Sequence, residues 1–70
     1  MEYLIVRYPT DRRVVIDDEF NGRTNVLIQL PAGAHTVSLA PPRNFSPTSQ
    51  DILLKDTSPL APQEVTFNAN

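Results

Sequence analysis

The sequence predicts an all-β fold, a small antiparallel β-sandwich or barrel-like domain of about six strands. Three observations carry this reading. Seven prolines, at positions 9, 31, 41, 42, 47, 59 and 62, leave Thr10 to Leu30 as the one long proline-free stretch, and Gly22 divides it. A helix of mean length, about 11 residues, fits only between Thr10 and Asn21, where Val14-Val15-Ile16 sets three β-branched residues in a row and favours a strand. Elsewhere apolar residues recur at period two: Val26, Ile28 and Leu30, then Val37 and Leu39, then Val65 and Phe67. That is the mark of half-buried strands.

The strands are expected at about 2–8, 12–17, 25–30, 35–40, 50–55 and 63–68, roughly ten residues apart as in small sandwiches. Tyr3-Leu4-Ile5-Val6 does not alternate, so the first strand is placed centrally, covered on both faces. Between the second and third strands, residues 17–24 read as a long polar loop with its turn at Asn21-Gly22. Pro31-Ala32-Gly33-Ala34 reads as a hairpin turn, with Gly33 at positive φ. A four-residue loop would pair Leu30 with His35 and gather Val26, Ile28, Leu30, Val37 and Leu39 on one face; register follows from that apolar set. Thr57 to Pro62 reads as a loop, because Pro59 and Pro62 cannot donate to a ladder.

Seventy residues make one domain, residues 1–70, with 40% hydrophobic and 20% charged residues. Six Lys and Arg against eight Asp and Glu give a net charge of −2, which supplies no general pull toward phosphate backbones. Nucleic acid is therefore not an expected partner. The absence of cysteine removes disulfides and thiolate chemistry. No apolar run reaches the ~20 residues needed to cross a bilayer, and Tyr3 to Val6 is shorter than the ~7-residue minimum of a signal-peptide core. Membrane insertion is not expected, and the compartment is left open.

Several stations of the chain match a family pattern. Val14-Val15-Ile16-Asp17-Asp18 stands for a valine-rich strand ending in Asp-Gly. Gly22-Arg23-Thr24-Asn25 stands for Gly-x-Thr-Pro, Pro31-Ala32-Gly33-Ala34-His35 for Pro-x-Gly with a following His, and Asn44-Phe45 for Gly-Tyr. In these the chain resembles the PEGA domain, a small all-β module of bacterial and archaeal proteins, many of them surface-associated or multi-domain. Asp18, Asn25, Asn44-Phe45 and the proline-rich Ala40-Pro41-Pro42-Arg43 depart from the pattern. Asp and Asn tolerate left-handed geometry, so the turns survive at Asp18 and Asn25. The resemblance implies an accessory domain, with no shared catalytic set, and allows a cell-envelope setting.

The chemistry-bearing residues point the same way. His35, the one histidine, reads as a strand-end residue without a catalytic or metal role, since metal sites need three or four converging ligands. No Gly-x-Ser-x-Gly turn activates a serine. Asp17, Asp18 and Glu19 leave a strand in alternate directions and read as solvated carboxylates. Arg12 and Arg13, adjacent in extended chain, point to opposite faces and guard the second strand as an edge. Of the aromatics, Tyr3, Phe20, Phe45 and Phe67 read as core or core edge, and Tyr8 as free.

The expected function is that of a non-enzymatic accessory module, without cofactor, that binds a partner protein or itself through a sheet face or edge strand. The candidate contacts are Leu27 and Leu53, outward leucines on one face, and the C-terminal strand through Val65 and Phe67, guarded only by Glu64. The alternative is a carbohydrate or cell-envelope polymer module using Tyr8, Phe20, Asn21 and Arg23.

Overall fold

A computed structural model of the chain describes residues 1–70 and contains strands without helix. The strands are β1 (Glu2–Arg7), β2 (Arg13–Ile16), β3 (Glu19–Arg23), β4 (Ile28–Leu30), β5 (Gly33–Leu39), β6 (Phe45–Ser46), β7 (Gln50–Leu54), β8 (Gln63–Thr66) and β9 (Asn68–Ala69). A three-stranded sheet has the order β4-β1-β8 and a four-stranded sheet the order β3-β2-β5-β7, while β6 and β9 form a short ribbon. Pairings are antiparallel except that of β1 with β8, which is parallel. Alternate residues from both sheets, among them Leu4, Val6, Val14, Ile16, Val37, Leu54 and Val65, fuse into one core of 13 buried hydrophobics. At its centre Phe45 and Phe67 meet edge to face, ring centroids 5.7 Å apart.

The all-β class and the central position of β1 hold, but the chain has more strands than six. The largest correction concerns residues 17–24. The chain turns at Asp17-Asp18, both at positive φ (52° and 67°), and returns at once as β3. Two positive-φ residues between paired strands make the tightest hairpin loop, and aspartate tolerates that geometry. Asn25, at φ 64°, likewise takes the left-handed conformation. Because β3 and β5 flank β2, Arg12 and Arg13 do not guard an edge.

The second correction concerns Pro31-Ala32-Gly33. β4 pairs with β1, and β5 pairs with β2 and β7, so this connection arches from one sheet to the other and is not a hairpin. His35 lies opposite Ile52, not Leu30. Four of the five residues expected on one face are buried, but Ile28 and Leu30 belong to one sheet and Val37 and Leu39 to the other; Val26 is 56% exposed. Period two identified the inward side chains without revealing which strand they pair against, since facing sheets and neighbouring strands leave the same pattern.

Gly33 does take a positive φ, 128°, and a Cβ there would meet nothing within 4 Å. Strain alone therefore sets the cost of Gly33→Val, about 1–2 kcal/mol. We expect a melting temperature lower by roughly 4–8 °C per kcal/mol; a melt within a degree of the parent would refute the assignment.

Two side chains knit the loops to this frame. Arg12 lies over the rings of Tyr8 and Phe45, its guanidinium carbon 5.2 and 6.0 Å from their centroids. The same guanidinium donates to the carbonyl of Pro42 at 2.9 Å and to Asn44 Oδ1 at 2.7 Å. Tyr8, expected to be free, is buried, and its hydroxyl donates to the Asn44 carbonyl at 3.1 Å. The loop at 57–62 is as expected, closed by a bridge between Ser58 and Ala61.

Candidate functional site

The outer face of the four-stranded sheet follows from alternation along β2 and β5. Val14 and Ile16 point into the core, so Arg13 and Val15 point out; Val37 and Leu39 point in, so Thr36 and Ser38 point out. Val15 lies opposite Phe20 on one side and Ser38 on the other. Phe20, expected in the core, is 56% exposed at this face, and the Arg13 guanidinium lies 3.8 Å from its ring centroid. That stack covers apolar ring with a cation that remains partly hydrated.

Beside this pair a shallow cleft of about 340 Å³ opens across β2 and β5. Val15, Thr36 and Ser38 line it together with Asp18 from the hairpin turn, Pro41 and Arg43 from the proline-rich loop, and Thr48 and Ser49 before β7. Two hydroxyls are already committed: Thr36 Oγ1 donates to Asp51 Oδ1 at 2.8 Å, and Ser38 Oγ to the Thr48 carbonyl at 2.6 Å. The ion pairs of the chain are Arg7 with Glu64, Arg23 with Asp11 and His35 with Asp17, so Asp18 and Arg43 bring unpaired charges of opposite sign to the cleft. The arrangement suits noncovalent recognition. Both nitrogens of His35 are engaged, by Asp17 and by the Pro31 carbonyl, and neither is paired with a serine.

The residues singled out from sequence scatter. Leu27 precedes β4 in the three-stranded sheet and Leu53 lies on β7 in the four-stranded one, so the single face expected from them does not form. Leu53, opposite Ala34, extends the outer face described above. Val65 and Phe67 are buried core residues and offer no side-chain contact. β8 is nonetheless an edge strand. The Phe67 N–H donates to Arg7 of β1, which turns the Thr66 carbonyl outward across the trans peptide; Gln50 Nε2 from β7 caps it at 2.8 Å. Glu64, the expected guard, pairs with Arg7 at 3.0 Å.

Of the alternative ligand set, Tyr8 is buried away from the face, whereas Phe20, Asn21 and Arg23 lie on β3. Arg23 is held by Asp11 through contacts of 2.7–3.0 Å, and these hydrogen bonds lower the Asp11 pKa and raise that of Arg23. The acidic run does not converge either, because Asp17 turns its carboxylate to Thr36 N–H and His35. No group of three or more metal-ligating side chains forms. The cleft was not legible beforehand: Asp18 is distant in sequence from Arg43 and Ser49, and it takes the pairing of β5 with both β2 and β7 to bring them together.

Fold and face together define a small all-β module built on two facing sheets. The family model of the PEGA domain matches residues 2–60, and the chain belongs to this family of small non-catalytic modules. Comparison with curated proteins and with solved structures gave no match. No helix is long and apolar enough to cross a membrane.

Proposed function

We propose that this PEGA domain is an accessory module that docks a partner protein, or a second copy of itself, through the outer face of the four-stranded sheet, in a cell-envelope setting. The observation that supports it is the pair of exposed Phe20 and half-buried Val15 beside a cleft bearing the unpaired charges of Asp18 and Arg43. Exposed apolar groups bordered by polar ones are the usual composition of a recognition surface. A carbohydrate reading draws on the hydroxyl lining of the cleft. Against it, Tyr8 is buried and Arg13 covers a face of the Phe20 ring, which removes the bare aromatic platform that sugars stack on.

A photo-crosslinking residue placed at position 20, and in a second protein at position 27 on the other sheet, separates the readings. Irradiation in an extract of the producing cells should give discrete protein adducts from position 20 and none from 27. Adducts only from 27, or no protein adduct together with binding on a polysaccharide array, would overturn the proposal. Where the partner is a second copy, light scattering over a hundredfold concentration range shows dimers that Leu53→Lys dissolves and Leu27→Lys does not.

A further inference from the structure

His35 sits where two turns meet. Its Nδ1 lies 2.7 Å from Asp17 Oδ2 in the β2–β3 turn, and its Nε2 lies 2.7 Å from the carbonyl oxygen of Pro31 in the arch between the sheets. Neither partner can donate: a carbonyl oxygen and an ionised carboxylate are acceptors only. Both contacts are hydrogen bonds together only when both ring nitrogens carry hydrogen, that is, when the ring is an imidazolium. A neutral ring would turn a lone pair toward one of these oxygens at the same distance.

We propose that His35 is a proton-operated clamp, which as an imidazolium ties the Asp17 turn to the Pro31 arch and on losing its proton releases the arch. The order of release follows from hydrogen-bond strength. A bond to a carboxylate is roughly twice as strong as one between neutral groups. The neutral ring thus keeps its hydrogen on Nδ1, toward Asp17, and presents the bare Nε2 to Pro31. The arch carries the chain from β4 in one sheet to β5 in the other, so its release loosens the connection between the sheets and leaves the β2–β3 hairpin in place.

The surroundings agree. Across the strand pair β7 presents Ile52, so Asp17 is the one charged group bound to the ring. The Asp17 hydrogen bond, then the one to Pro31, raise the His35 pKa above its ordinary value. Asp17 moves the other way, lowered first by the Thr36 N–H and then by His35. Below about pH 6.5, the unfolded value, the contribution of His35 to stability is fully present; it is lost as pH rises through the higher folded value. That of Asp17 is present above about pH 3.9 and is lost as pH falls through the lower folded value. The clamp is closed between these limits.

Nitrogen-15 NMR of the full chain, titrated from mildly acidic to alkaline pH, tests this independently of any partner. Both His35 ring nitrogens should be protonated at mildly acidic pH, with a midpoint above that of a histidine peptide. At that midpoint the amides of Ala32 and Gly33 should shift and hydrogen exchange at Gly33, which pairs with Leu54, rise severalfold, while the Asp17 amide, which donates to the Thr36 carbonyl, stays protected. Asp17→Asn should lower the midpoint; should that variant not fold, the parent titration decides alone. A ring with a single proton throughout, a midpoint at or below the peptide value, or loosening at Asp17 with Ala32 and Gly33 unmoved would overturn the clamp.

Discussion

Gly22→Val is expected to leave most of the domain unfolded at room temperature. Gly22 lies in β3 at φ 78°, where a β-branched residue is a true outlier, and left-handed geometry costs about 1–2 kcal/mol. Unlike Gly33, it has no room. A Cβ would stand 2.8 Å from Ile28 Cγ1 and 2.9 Å from its Cδ1. Ile28 is buried and paired with Leu4, so it cannot swing into solvent; forcing it aside is overpacking, at about 1–3 kcal/mol. The sum, about 2–5 kcal/mol, equals what the core of so small a domain supplies. Urea unfolding followed by circular dichroism checks it, with Gly33→Val as the internal comparison. Equal midpoints for the two variants would show that the approach of β3 to β4 is not as close as described.

The contrast between the two glycines shows what the sequence discloses. A positive φ at Gly33 was legible because Pro31 and Gly33 together are turn chemistry, and the left-handed tolerance of Asp18 and Asn25 was legible from residue type. Period two at Ile28 and Leu30, Val37 and Leu39, and Val65 and Phe67 disclosed six of the 13 buried hydrophobics. What local pattern does not carry is the partner of each strand. Pro31-Ala32-Gly33 serves a hairpin and an arch equally well, so the sheet that receives β5 could not be read. The same limit hid the candidate face. Phe20 looked like core because aromatics usually are, yet the Asp17-Asp18 turn swings it beside Val15 on the outer surface, under Arg13. Tyr8 reads as free from sequence, yet Arg12 and Asn44 close over it. In both cases a tertiary contact, for Tyr8 one remote in sequence, overrides a local expectation.

Thr24→Val tests whether such a remote contact holds the frame. Thr24, read from sequence as part of a solvated loop, is 2% exposed. Its hydroxyl accepts the Arg12 N–H at 2.9 Å and donates to the Thr10 carbonyl at 2.8 Å, while its own N–H donates to the Arg12 carbonyl at 2.9 Å. Valine keeps the shape and loses the hydroxyl. The Arg12 N–H and the Thr10 carbonyl are then left without partners, at about 1–3 kcal/mol for each group that water cannot reach. Both contacts are partly shielded, so we expect a loss of about 2–3 kcal/mol. The effect should spread from the strained segment to the Arg12 guanidinium, because the backbone that loses its anchor carries the cation packed on Tyr8 and Phe45. Thr24→Ser retains the hydroxyl and gives up a methyl group, worth about 1 kcal/mol. Serine should therefore melt above valine at this position, and amide exchange at Arg12 should accelerate in the valine variant alone. Were valine as stable as serine, the 10–13 segment would owe its position to side-chain packing, and the hydroxyl would be dispensable.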